Sequence, residues 1–284
     1  MQKILACIDE STWSTSVEDA AIWAAKQLKS PLLFLHSIEK QVAIPDSRDF
    51  SGAIGLGSRS KLLTEIATLD QLRAKVALQL GKELLASAEQ KAQESGCEHI
   101  ETMQRHGEFV DTLLALENDA RLVIIGHSGS STGKKANVLG THVENLLRRI
   151  NTSVLITPHD FVTPSSFMLA YDGRATSERA LQLILDSTLL QGLDCHLVAI
   201  KNKQDDLQEK LADAEQRLSS KGFSVTATFL EGDIFKQLLN YQQTHAIGMS
   251  VMGAFAGTRL RQFFVGSNTL KMLENSNLPV LVVK

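Results

Sequence analysis

Residues 3–9, KILACID, and residues 166–172, SFMLAYD, are short apolar runs that end on an aspartate, and the same order of patterns follows each. An internal repeat constrains the fold more than any single motif, because both halves must form the same unit. After Asp9, Val17, Ala20, Ala21, Ala24 and Leu28 recur at helical spacing, and Thr15 with Glu18 predicts a capping box. After Asp172, Thr176 or Ser177 is expected to cap a helix carrying Ala180, Leu181, Ile184 and Leu185. A second strand follows in each half, PLLFLHSI at 31–38 and CHLVAI at 195–200. The next helix shows in the second half as Leu207, Leu211, Ala214 and Leu218. Then come HIETMQRH (99–106) and FSVTATFL (223–230), the latter alternating apolar and polar residues as a half-buried strand does. Both lead through a glycine and an acidic residue, Gly107-Glu108 or Gly232-Asp233, into another helix. Each half closes with a buried strand, RLVIIG (121–126) or MSVMG (249–253), a glycine-bearing loop, a helix and an apolar last strand. Those last strands are SVLIT (153–157) and PVLVV (279–283).

Helices alternating with continuous apolar strands predict open parallel sheets covered on both faces, with right-handed crossovers. Gly126 and Gly253 are 127 residues apart and Gly140 and Gly266 are 126 apart, but Asp9 and Asp172 are 163 apart. The first half therefore carries an insertion after its second strand. Within it, 41–60 reads as a loop containing Pro45, Gly52, Gly55 and Gly57, followed by a long helical pattern to about Ser95. Its apolar residues Ile54, Leu56, Leu62, Leu63, Ile66 and Leu69 are expected to pack the helix on its own domain, the alternative being a pocket for an apolar ligand. The linker TPHDFVTPSS (157–166) carries two prolines. Domains at 1–157, with the insertion at about 40–95, and at 165–284 follow.

A chain of 284 residues suits two such domains. Its net charge of −3 leaves no basic field to hold nucleic acid. Cys7, Cys97 and Cys195 lack C-x-x-C spacing, so neither a disulfide framework nor a structural metal is expected. Asp9 and Glu10 interrupt the N-terminal apolar run, arguing against a signal peptide, and no run approaches the ~18 apolar residues of a membrane helix. The expected location is cytoplasmic, with no membrane partner.

In doubly wound sheets ligands sit beyond the carboxyl ends of the strands. Three features of each half fall there: the aspartate after strand one, the end of strand two and the glycine loop after strand four. Glycine loops that lead into a helix offer bare N–H groups and a positive dipole end to phosphates. The second-half loop reads GAFA from Gly253 to Ala256, then nine residues, then Gly266-Ser267. The first-half loop reads GHSG from Gly126 to Gly129, then ten residues, then Gly140-Thr141.

In these loops, the two aspartates and the element order, the chain resembles the universal stress protein family in its tandem two-domain form. The family's nucleotide loop is G-x-x-G, nine residues, then G-S or G-T. The second half keeps that spacing and replaces one glycine with Ala256, whereas the first keeps the glycines and is one residue longer. The resemblance implies two tandem flavodoxin-like, Rossmann-like domains of the adenine nucleotide alpha hydrolase type, each an open parallel five-stranded sheet with helices on both faces. It implies ATP or a related adenine nucleotide as ligand, with Mg²⁺. In the second half Asp172 and Ile200 would hold adenine, and Gly253, Gly257, Arg259, Gly266 and Ser267 the ribose and phosphates. The first-half counterparts are Asp9 and Ser37, then Gly126, Gly129, Gly140 and Thr141. It also implies pairing of the last strands, here as an intramolecular pseudo-dimer, with a homodimer open in addition.

Other motifs carry less. STGKK (131–135) lacks a P-loop's leading glycine, since Ser128 stands there, and its closing Ser or Thr, since Lys135 does. The glycines at 52, 55 and 57 follow a loop instead of a strand. His36, His106, His127 and His142 show no metal spacing, and His127 reads as a surface imidazole. No nucleophile elbow occurs and the glycine loops hold no carboxylate, so no catalytic residues are assigned. The expected function is a stress-response or regulatory protein that binds nucleotide without fast turnover. The alternatives are a binding module with degenerate sites, acting as a scaffold or holding another ligand, and a slow ATPase or autophosphorylating enzyme.

Overall fold

The apolar runs become strands and the helical patterns become helices. The first half is β1 (Lys3–Cys7), α1 (Ser14–Leu28), β2 (Leu32–Ile38), α2 (Leu56–Glu94), β3 (Ile100–His106), α3 (Phe109–Leu116), β4 (Ala120–Gly126), α4 (Thr141–Arg149) and β5 (Val154–Thr157). The second is β6 (Ser166–Tyr171), α5 (Ala175–Asp186), β7 (Asp194–Ile200), α6 (Leu207–Ser220), β8 (Val225–Leu230), α7 (Ile234–Thr244), β9 (Met249–Gly253), α8 (Ser267–Asn275) and β10 (Val280–Val283). The computed structural model describes residues 2–39, 56–129, 139–202, 204–254 and 267–284, without the side chains of 56–63 and 267. The expected loop at 41–60 therefore lies mostly outside the described residues.

All ten strands form one sheet in the order β3-β2-β1-β4-β5-β10-β9-β6-β7-β8. Within each half every neighbouring pair is parallel. At the centre β5 and β10 are antiparallel, with Leu155 opposite Leu281. The two halves therefore run in opposite directions, and their carboxyl strand ends lie on opposite edges of the sheet.

Side chains alternate across each strand, as the period of two requires. In β1, Ile4 and Ala6 join one core face while Leu5 and Cys7 join the other. The first face is covered by α1, α2, α5 and α6, and the second by α3, α4, α7 and α8. The linker after β5 packs on α1, where the Ser16 hydroxyl donates to the Pro158 carbonyl at 2.6 Å and Phe161 meets Trp23.

Helix α2 is 39 residues long, about 58 Å at 1.5 Å per residue. Its second half packs through Leu85, Ala88 and Ala92. At Gly81 it approaches the sheet so closely that a Cβ there would stand 2.4 Å from the Nδ1 of His36. Lys91 ties it to α1 through Glu18 at 3.1 Å and Asp19 at 2.9 Å. Its first half behaves differently: residues 64–76 are exposed on every side. The expected packing of Ile66 and Leu69 on their own domain is not found, because the helix has run past the sheet before it reaches them. Ile54 and the side chains of Leu56, Leu62 and Leu63 lie outside the description.

The expected capping box is also absent. Helix α1 begins at Ser14 with Trp13 as N-cap and no side-chain cap bond. Glu18 reaches Lys91 instead, and Ser14 turns back to Asp9. Among the described residues no helix is long and apolar enough to cross a membrane.

Candidate functional site

Apolar strand β1 delivers Asp9 to the carboxyl edge, and a serine five residues on fixes it there. The backbone N–H of Asp9 donates to the Ser14 Oγ at 2.8 Å, and the Ser14 hydroxyl donates to the Asp9 carbonyl. The Asp9 carboxylate accepts from the Ser11 amide at 3.0 Å and from the Ser11 hydroxyl. The other half repeats the device: the Asp172 carboxylate accepts from the Ser177 hydroxyl at 2.8 Å and from the Arg174 amide at 3.1 Å. Sequence reasoning passed over this motif. Its signal was present, because D-x-x-x-x-S stands in both halves at 9–14 and 172–177.

The structure brings Asp9 and Gly129 together. A Cβ on Gly129 would stand 3.0 Å from the Asp9 Oδ2, so even a methyl group there would press on that carboxylate. The Gly140 amide donates to the His127 carbonyl at 3.1 Å, which draws the two ends of the loop together. Gly140 is the N-cap of α4 and Thr141 is its exposed first residue. Gly126 lies under the Trp13 side chain, 3.0 Å from where its Cβ would be. Ser37 is engaged with the neighbouring strand end, donating to the Gly107 carbonyl at 3.0 Å.

In the second half Gly253 meets a different demand. A Cβ there would fall 2.3 Å from the Thr176 carbonyl oxygen, in the first turn of α5. Close packing of a helix on a strand thus accounts for this glycine without any ligand. Ile200 is buried at the end of β7. The Asn202 side-chain amide donates to the Asp172 carbonyl at 3.0 Å. The next residue, Gly173, has φ +71°, and a Cβ on it would lie 2.9 Å from Gln204 and 3.1 Å from Leu207 and Lys210. The chain after β7 therefore folds tightly over the strand-one turn, whereas the first half has its insertion at that point. Ala256, Gly257, Arg259 and Gly266 lie outside the described residues, and Ser267 opens α8.

His127 is not a surface imidazole, because it is only 7% exposed. Its Nε2 hydrogen-bonds at 2.8 Å to the carbonyl of Leu273, in α8 of the other half. Its ring lies 5.8 Å from Trp13, which meets His159 edge-on at 5.2 Å. The sequence carries no periodic signal for this cluster, because it joins three loops. Burial lowers the His127 pKa, opposed by the Leu273 bond and Glu274, and burial likewise lowers that of His196, aided by His245. The unfolded chain then binds protons that the folded chain resists. Stability is full above the ordinary imidazole value of 6.5 and falls as pH drops below it, until the lowered folded values are reached. Urea melts between about pH 7.5 and pH 5.5 check this: His127→Gln is expected to show a shallower pH slope than wild type. Equal slopes would remove His127 as the cause.

Among the described residues no group of His, Cys, Asp and Glu side chains could hold a metal ion. The universal stress protein family profile matches residues 1–158 and 196–284. Universal stress protein Slr1230 of Synechocystis is 32% identical over 288 aligned positions, covering all of both chains. Among solved structures, a universal stress protein from Archaeoglobus fulgidus covers 99% of this chain and 98% of its own, with TM-score 0.75 and 19% identity. A functionally unknown protein from Pseudomonas aeruginosa covers 100% of this chain and 92% of its own, with TM-score 0.65 and 17% identity.

Proposed function

Because the chain belongs to the universal stress protein family, we propose that it is a stress-response regulatory protein that binds ATP or a related adenine nucleotide without fast turnover. The observation that carries this reading is the approach of Gly129 to Asp9, which brings the glycine loop and the strand-one aspartate to one place. Bare amides there and the N-terminus of α4 suit phosphate groups. Asp9, Ser37, Gly126, Gly129, Gly140 and Thr141 would line the first site, and Asp172, Ile200, Gly253, Gly257, Arg259, Gly266 and Ser267 the second. Slow turnover is supported by loops that carry no carboxylate of their own to hold Mg²⁺ or orient water, the nearby Asp9 being engaged by Ser11. The domains of this reading are 1–157 and 165–284, and the antiparallel contact of β5 with β10 supports their pairing as an intramolecular pseudo-dimer. Free cysteines at 7, 97 and 195 support a reducing, cytoplasmic setting.

Calorimetric titration of ATP, ADP and AMP tests the proposal. Wild type is expected to bind saturably, Gly129→Asp to lose the first site, and Gly129→Asp with Gly266→Asp to lose all binding, at least a hundredfold in affinity (about 3 kcal/mol). Hydrolysis is expected below about 1 s⁻¹. Absence of saturable binding in wild type would favour the second reading, an interaction scaffold with degenerate sites. The observation behind that reading is the bare apolar stretch of α2.

A further inference from the structure

Ile66, Leu69, Leu72, Val76 and Leu80 are 43%, 54%, 54%, 57% and 47% exposed. At 100° per residue they lie within about 60° either side of one line along α2, a span that also holds the exposed Glu65 and Arg73. The residues that pack α2 on the sheet, Gly81, Leu85, Ala88 and Ala92, centre about 130° round the axis. The exposed stripe is therefore a second apolar face, aimed away from the chain's own core. A free-standing stretch of this length is marginal as a helix in water, and covering its apolar face would stabilise it.

We infer that this stripe is the dimerisation surface of the protein, paired antiparallel with the same stripe of a second molecule. Arg73, within the stripe, and Asp70, on its flank, select that partner and that direction. Asp70 and Arg73 are exposed and lie 3.7 Å apart within one helix. A two-fold axis between positions 71 and 72 sets each Asp70 level with Arg73 of the other molecule, giving two reciprocal pairs. Parallel pairing in register would instead bring the two Arg73 side chains level at the seam and leave the two Asp70 side chains on opposite flanks, each away from the partner's Arg73. Five half-exposed apolar side chains bury roughly 300–400 Å² per molecule, or roughly 600–800 Å² across the axis. Gln79, at the edge of the stripe, adds to this, and the contact stays in the range of weak, transient interfaces. The dimer is accordingly weak and forms in the micromolar range.

Sedimentation velocity on the full chain from about 1 to about 100 μM tests this. Wild type is expected to pass from monomer to dimer, and Leu69→Glu to stay monomeric. Asp70→Arg alone is expected to raise the dissociation constant at least tenfold, and Asp70→Arg with Arg73→Asp to restore it to within about threefold. Circular dichroism confirms that the variants fold, and the charge-reversal pair gives the answer even if Leu69→Glu does not. A wild type monomeric throughout, a dimer indifferent to Leu69→Glu, or a double reversal that fails to restore it would each overturn the inference. So would a wild type that stays monomeric in solution and instead co-sediments with anionic phospholipid vesicles, because the stripe would then serve a lipid surface.

Discussion

Replacing Gly253 with alanine is expected to destabilise the protein by about 3 kcal/mol or more, at the upper end of overpacking effects. The added methyl would sit 2.3 Å from the Thr176 carbonyl oxygen and 2.5 Å from its carbon. Both atoms belong to the backbone of the first turn of α5, so no side-chain rotation relieves the clash. Either β9, an interior strand of the sheet, or the whole of α5 must move. Gly126 occupies the equivalent place, but its nearest neighbours are the Trp13 Cβ at 3.0 Å and the Ser128 carbonyl at 3.1 Å. Those contacts need shifts of a few tenths of an ångström, and Gly126→Ala is expected to cost only about 1 kcal/mol. Thermal melts check the pair, with Tm falling by about 6–12 °C for the first and about 2–4 °C for the second. Equal losses would show that the two strand ends are packed alike, against the structure.

A comparable loss is expected at the central seam. Leu155 and Leu281 face each other across the antiparallel junction, and neither is exposed. Leu281→Ala leaves a cavity between two strands that hold the halves together, at a cost of about 2–5 kcal/mol, and Leu155→Ala costs a similar amount. The double variant is expected to lose less than the sum, because the two truncations open one shared cavity. Urea denaturation of the four proteins completes the cycle. Strict additivity would mean that the side chains do not share a space.

The element order was legible because each strand is a run that only a buried sheet tolerates, such as LVII before Gly126 or the alternation of FSVTATFL. The parallel direction followed from the helices between those runs. The nearness of Asp9 and Gly129 was legible because the aspartate after strand one and the glycine loop both fall at one edge of the sheet, and the two do meet. What escaped depends on contacts that no local pattern carries. Ser14 was overlooked because it serves Asp9 rather than its own helix, so a search for N-caps passes it by. Gly253 looked like a ligand glycine, yet the approach of α5 already requires it, and periodicity says nothing of how near two elements come. His127 looked like a surface residue because its cover, Trp13 and Leu273, comes from distant parts of the chain. The pattern of α2 was read correctly as a helix, but whether a face is covered depends on where the sheet ends.

The reversal of strand direction between β5 and β10 separates the two carboxyl edges by the length of a strand. A strand of five residues spans about 17 Å, roughly twice the distance over which physiological salt screens a charge. Polyanions seated at the two edges would scarcely repel one another, and each end of the molecule would titrate as though the other were neutral. A charge taken up at one edge would thus leave the field at the other almost unchanged.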